Sequence, residues 1–287
     1  MSPTKILRRA MDLHGRQVSS RMRIPGGRRR YGRWFREMKV DFSEVVLDIN
    51  PERIAPGGIN LVQISDIHSG PYVDGADLFG VMDRVTAMQP DLIVLTGDFV
   101  NREPAELEPA LPALSCLAAR GGVWAVLGNH DFWGDGATVA AMLEGIGIRM
   151  LRNEGTDIEI DGTRFHLAGV DDWKEGEADL PLASRDRTSG MLSILLSHCP
   201  QIIDEAADMG YDLVLSGHTH GMQVRLPIFR HLARDFMHDS HDHGHSRHGE
   251  GGRTHLYITR GLGVVTLPWR YKCPPEVSCI QLRPRAA

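Results

Sequence analysis

The sequence predicts an α/β fold built on largely parallel strands, and three observations carry that prediction. Short apolar runs, too brief for helices, recur between segments of helical periodicity. Several of these runs end in Asp, His or Asn, which is where an open α/β sheet gathers a site, just beyond the carboxyl ends of its strands. From residue 149 onward shorter strands alternate apolar and polar positions, and Asp161-Gly162 reads as a hairpin turn between two of them.

Taken in order, strands are expected at 45–49 and 60–64, the second running into Ser65-Asp66-Ile67-His68. A helix follows over 76–89, where Leu78, Val81, Met82, Val85 and Met88 recur at helical spacing. The apolar run 91–95 leads into Thr96-Gly97-Asp98, a helix is expected near 105–119, and strand 122–127 ends in Gly128-Asn129-His130-Asp131. A helix over 136–145 precedes strands at 149–151, 156–160 and 164–170. Strand 191–196 leads to Ser197-His198, helix 200–208 follows, and strand 213–215 enters Ser216-Gly217-His218-Thr219-His220. Strands at 255–258 and 277–280 complete the set.

A chain of 287 residues holds one large domain or two small ones. With 42% apolar and 24% charged residues it has the composition of a soluble globular protein. It contains no apolar run long enough to span a membrane, and the basic N-terminus lacks the apolar stretch of a secretory signal, so a cytoplasmic protein is expected, peripheral to the membrane at most. Cys116, Cys199, Cys273 and Cys279 show no CxxC spacing, which excludes a zinc ribbon or a disulfide framework and leaves free thiols. The net charge of −5 conceals an asymmetry. Residues 1–40 carry twelve Lys/Arg against two acidic residues, a net of +10, and the remainder carries −15.

The chain therefore divides into a basic arm, 1–40, and an α/β body, 41–287. Within the arm Tyr31, Trp34, Phe35 and Met38 fall at helical spacing among arginines. An anionic membrane surface is one partner for such a helix; packing of the aromatic stripe on the body is the alternative. Nucleic acid is a third partner, and charge alone does not separate it from membrane. Half of the fourteen histidines lie in 231–255, a segment too polar to build a core and expected as a mobile surface loop, either metal-handling or solvated.

Asp66 and His68, Asp98, Asn129 and His130, His198, and His218 and His220 all follow apolar runs. One such motif alone reads as a cap or turn; five in succession point to a convergent site. Imidazole and carboxylate are the donors that divalent transition metals take. A single bridging carboxylate can hold two such ions at the spacing used in phosphoryl transfer, with a bridging hydroxide as nucleophile. The leaving group then requires a proton from a group that is not itself a ligand.

The order Asp66-Ile67-His68, Gly97-Asp98, Gly128-Asn129-His130-Asp131, His198, Gly217-His218-Thr219-His220 resembles the calcineurin-like metallophosphoesterases, over about residues 58–285. That resemblance implies a four-layer αββα sandwich of two mixed sheets flanked by helices, and a dinuclear metal-dependent phosphodiesterase or pyrophosphohydrolase. Carried over by position, Asp66, His68 and His220 would bind one metal, Asn129, His198 and His218 the other, and Asp98 would bridge them. His130 would orient the phosphate or protonate the leaving group, with Asp131 fixing its ring. Mn, Fe and Zn all suit such ligands.

Within the family the chain is most similar to a bacterial phosphodiesterase subgroup, through Gly221-Met222-Gln223 with Leu226-Pro227, Arg260-Gly261-Leu262-Gly263 and Pro274-Pro275-Glu276. Met222, where a second glycine is expected, and the His-rich insertion depart from it. The likeness implies a lipid-linked or nucleotide-linked substrate. Arg260 and Arg270 are candidates for binding substrate phosphate, with surface ion pairs as the alternative. Asp171-Asp172-Trp173 either borders the crevice or forms a turn.

Overall fold

A computed structural model of the chain describes residues 25–27, 29, 31, 32, 35, 40–225 and 242–286. Its centre is a pair of six-stranded sheets. The first contains β1 (Asp41–Ile49), β2 (Ile59–Ile64), β3 (Leu92–Thr96), β4 (Val123–Val126), β5 (Arg149–Met150) and β12 (Glu276–Pro284), in the order β1-β12-β2-β3-β4-β5. The second contains β6 (Glu154–Ile160), β7 (Thr163–Gly169), β8 (Leu192–Leu196), β9 (Leu213–Ser216), β10 (Gly244–His248) and β11 (Thr254–Ile258), in the order β10-β11-β9-β8-β7-β6. β2 to β5 run parallel, as do β7, β8, β9 and β11. β12 lies antiparallel to β2, and β6 and β10 antiparallel to their neighbours, so both sheets are mixed.

Burial explains why the central strands read as unbroken apolar runs. In β3, Leu92 and Val94 face the second sheet and pack with Leu167, Ile194 and Leu215. Ile93 and Leu95 point the other way, onto helix α1 (Gly75–Ala87) through Leu78, Met82 and Val85. That outer layer is completed by α2 (Leu111–Leu114), α3 (Asn129–Gly134) and α4 (Gly136–Glu144). On the far side α5 (Leu180–Ala183) and α6 (Ile203–Asp208) cover Ala168, Leu195 and Val214. The result is the four-layer sandwich, helices on sheet on sheet on helices.

Several elements differ from expectation. The helix expected near 105–119 is broken into a 3₁₀ turn over Pro104–Leu107 and the four-residue α2, because Pro109 and Pro112 remove N–H donors that a continuous helix needs. α3 was not foreseen; its first residue, Asn129, belongs to a site motif that reads as a loop. Asp161 and Gly162 both have positive φ (47° and 80°), as a tight β6–β7 hairpin requires. The His-rich segment is not a single mobile loop. Its described part forms edge strand β10, which pairs with β11, and buried His255 lies within β11. His231, His238 and His241 lie outside the described residues.

Tyr31 and Phe35 of the arm are buried in the same core as α1, and the Tyr31 hydroxyl donates to Leu262 O at 2.8 Å. For these two residues the packing alternative holds, and they are unavailable to a membrane surface. Trp34 and Met38 lie outside the described residues. Among the described residues no helix is long and apolar enough to cross a membrane.

Candidate metal centre

The parallel strands β2, β3, β4, β8 and β9 bring the five motifs together from both sheets. After β2 the chain places Asp66 and His68; after β3, Asp98; after β4, Asn129 at the head of α3. β8 delivers His198, and β9 delivers His218 and His220. Asp66, His68, Asp98, Asn129, His198 and His220 are all buried. Tight turns are needed to aim them inward. Asp66, His68, Asp98, His218 and His220 each adopt positive φ, between 46° and 70°. Non-glycine residues pay of order 1–3 kcal/mol for such conformations, which persist where the surroundings enforce them. Two glycines admit the close approaches involved: a Cβ on Gly128 would overlap Asp98 Oδ1, and one on Gly217 would overlap Ser65 Oγ and Asp66 Oδ2.

The ligand atoms fall into two groups, Asp66, His68, Asp98 and His220 in one and Asp98, His198 and His218 in the other. Within the first, His68 Nε2 lies 3.0 Å from His220 Nε2, and His220 Nε2 lies 3.3 Å from Asp66 Oδ1. Within the second, His218 Nδ1 lies 3.2 Å from His198 Nε2. Asp98 Oδ2 belongs to both, 3.4 Å from His68 Nε2 and 3.2 Å from His198 Nε2.

The surroundings fit a divalent cation. Asn129 Oδ1 is buried with no hydrogen-bond partner among the described residues, an arrangement that is costly unless something else binds the oxygen. His198 Nδ1 donates to Thr96 O at 2.7 Å, which fixes the ring so that Nε2 is the atom turned toward Asp98 and the cluster. Burial, with help from neighbouring His130, drops His68 to about 3, and burial holds His218 and His220 well below the usual histidine range. These rings are neutral, as ligands must be. Burial also works against charge on His198, but Asp98, Asp66 and Asp172 outweigh it and raise the ring to about 10. Burial and the neighbouring Asp98 raise Asp66 to about 6, against the opposing pull of His198.

His130 stands beside this cluster, outside both ligand groups, with its ring centroid 4.5 Å from that of His68. Its Nδ1 donates to Asn101 O at 2.7 Å. The sequence reading assigned that restraint to Asp131, and the structure corrects it. The Asp131 carboxylate accepts instead from four backbone N–H groups, those of Asp98 (2.9 Å), Phe99 (2.9 Å), Val100 (3.2 Å) and Gly128 (2.8 Å). It clasps the β3 and β4 turns against each other. The anchor of the His130 ring is a backbone carbonyl, which no side-chain pattern reveals.

Of the two alternatives for the arginines, Arg260 takes the ion pair, and Arg270 is held by backbone carbonyls, which neither alternative named. Arg260 is engaged by Glu276 and Asp41. Arg270 is buried and donates to Gly263 O and Arg260 O, with Nη2 3.4 Å from His220 Nδ1. Both guanidinium groups are already used inside the protein, Arg270 as a brace behind His220. Asp172 resolves as a turn that also borders the site: its Oδ2 accepts from the Cys199 thiol at 3.1 Å, next to His198. Lys174, two residues on, lies over His218 and carried no signal in the sequence.

Fold and site together define a metal-dependent phosphoester hydrolase with a buried Asp/His metal centre. The chain belongs to the calcineurin-like phosphoesterases, whose family model matches residues 59–222. It is 30% identical to the uncharacterised metallophosphoesterase YkuE of Bacillus subtilis over 90% of this chain and 91% of that protein. It is 29% identical to the phosphodiesterase YaeI of Escherichia coli over 76% of this chain and 80% of that protein. Among solved structures, a 5'-nucleotidase precursor from Thermus thermophilus aligns with 78% of this chain at 14% identity and a TM-score of 0.49; the chain spans 55% of that protein's length.

Proposed function

We propose that the centre holds two divalent metal ions and that the chain is a phosphodiesterase or pyrophosphohydrolase. One observation carries the two-metal reading: Asp98 Oδ2 faces His68 of one ligand group and His198 of the other. Asp66, His68 and His220 would hold one ion, Asn129, His198 and His218 the other, and Asp98 both. Bound there, the ions supply Lewis acidity toward the phosphoryl group and a nucleophile drawn from water near neutral pH. Mn, Fe and Zn each suit the donors.

The protein's own share is positioning and proton handling. Asp98 Oδ1 accepts from His130 N at 2.9 Å, which fixes the shared carboxylate relative to the His130 turn. The Asn101 carbonyl leaves His130 Nε2 as the ring atom free to meet a phosphoryl or leaving-group oxygen. Nε2 can give a proton to a leaving alkoxide only while the ring carries hydrogens on both nitrogens, a charged state that burial opposes and the neighbouring Asp98 favours. The name of the Escherichia coli relative supports a diester over a monoester.

The test is a hydrolysis screen of purified protein loaded in turn with Mn²⁺, Fe²⁺ and Zn²⁺. Its panel is p-nitrophenyl phosphate, bis(p-nitrophenyl) phosphate, nucleotide pyrophosphates and phospholipids. Diester or pyrophosphate cleavage exceeding monoester cleavage is expected. A preference for the monoester would overturn the proposal.

A further inference from the structure

The loop after β7 brings a cation over the centre that none of the ligand motifs contains. Asp172, fully buried, organises it: Oδ1 accepts from Lys174 N at 2.9 Å and Glu175 N at 2.8 Å, and Gly176 N donates to Asp172 O at 2.9 Å. The other carboxylate oxygen takes the Cys199 thiol. Because Cys199 follows His198, the loop is tied directly to a ligand-bearing turn. Held this way, the exposed Lys174 side chain reaches back so that Nζ lies 2.5 Å from His218 Nε2.

That partner is an unusual one for an ammonium. Among the described residues no carboxylate pairs with Lys174; its polar partner is an imidazole. His218 turns Nδ1 toward His198. A neutral ring that ligates through Nδ1 carries its hydrogen on Nε2, and an ammonium has three donors and no acceptor. Were a metal to take Nδ1, Nε2 would carry the ring's hydrogen and His218 would offer the ammonium no acceptor. The ammonium is then a positive charge without a carboxylate, on a long flexible stem at the rim of the centre. Lys binds phosphate oxygens as a compact point charge, with three rotatable donors.

We propose that Lys174 is a specificity-determining residue, binding a non-bridging phosphoryl oxygen of the substrate and favouring substrates with a second anionic phosphate, such as pyrophosphate diesters, over singly charged diesters. This rests on the phosphoesterase reading of the centre. Asp172 and Cys199 are positioning residues for it.

Titration calorimetry of metal-loaded wild type, Lys174→Gln and Lys174→Arg with inorganic phosphate tests it without turnover, alongside metal analysis of the same samples. Phosphate affinity should fall about tenfold or more in Lys174→Gln, the scale of one charged hydrogen bond, and recover in part in Lys174→Arg. Metal content should be unchanged. In parallel, the KM of Lys174→Gln should rise more for a nucleotide pyrophosphate than for bis(p-nitrophenyl) phosphate. Unchanged phosphate affinity at full metal content would overturn the proposal. So would loss of metal from Lys174→Gln, which would make Lys174 a support for His218. Wild-type protein that takes up no metal would instead fail the underlying reading, and the inference with it.

Discussion

Substituting Asp131 by Asn separates two accounts of that residue. If its carboxylate clasps the β3 and β4 turns, the change is chiefly one of stability. Oδ1 accepts from Phe99 N and Val100 N, and Oδ2 from Asp98 N and Gly128 N. An amide keeps one oxygen, so two of the four bonds persist and two backbone N–H groups face an NH₂. Losing two hydrogen bonds to a charged acceptor costs ~3–6 kcal/mol, at ~1.5–3 kcal/mol each. Removing a buried charge returns part of this, leaving a net loss of about 3 kcal/mol. Urea unfolding of chelator-treated wild type and Asp131→Asn reads the difference directly, through the midpoint at constant slope. The clasp holds the turn that carries Asp98, so metal retention should weaken as well. Stability within ~0.5 kcal/mol of wild type, the range of an ordinary surface change, would refute the reasoning. If that result came with the kinetic defect of a His130 variant, the carboxylate would be acting on the His130 ring after all.

Two further predictions concern the site. His130→Ala should slow cleavage of diesters with poor alkoxide leaving groups by roughly 10²–10⁴-fold, and p-nitrophenolate release much less, since the latter needs little proton assistance; equal losses for both would remove the proton-donor role. Metal binding to chelator-stripped protein should release protons, because Asp98 and its neighbours hold His198 at about 10 and a cation must displace that proton. Affinity should therefore rise with pH, about tenfold per unit for one proton, and level off above the His198 titration. Calorimetry in buffers of different ionisation enthalpy counts the protons, and a count of zero near pH 8 would contradict the charge state assigned to His198.

The α/β fold and the convergence of the motifs were legible because both are periodic. Apolar runs such as 91–95 mark strands buried on both faces, and the polar residues that end them mark the edge where a site forms. Asp66, His68, Asp98, His198, His218 and His220 gather at that edge in two overlapping groups, and Asn129 heads the helix that follows β4. What escaped the sequence depends on backbone atoms or on non-local approach. Asn101 holds His130 through its carbonyl, which every residue has. Asp131 serves N–H groups up to 33 positions away. Pro109 and Pro112 were visible in the sequence, but the periodicity around them read as one helix. For Arg260 and Arg270 the sequence left substrate phosphate and ion pairing both open, because no motif marks Glu276 and the Gly263 carbonyl as their partners. Lys174 sits outside every ligand motif, and only the turn built by Asp172 brings it to His218.

The most direct test of the shared centre is metal content per chain in wild type, His68→Ala and Asp98→Ala, measured by elemental analysis after identical loading and desalting. Two ions are predicted for wild type, one for His68→Ala and fewer than one for Asp98→Ala, because only Asp98 belongs to both ligand groups. A single ion in wild type, or equal retention by the two variants, would contradict the account.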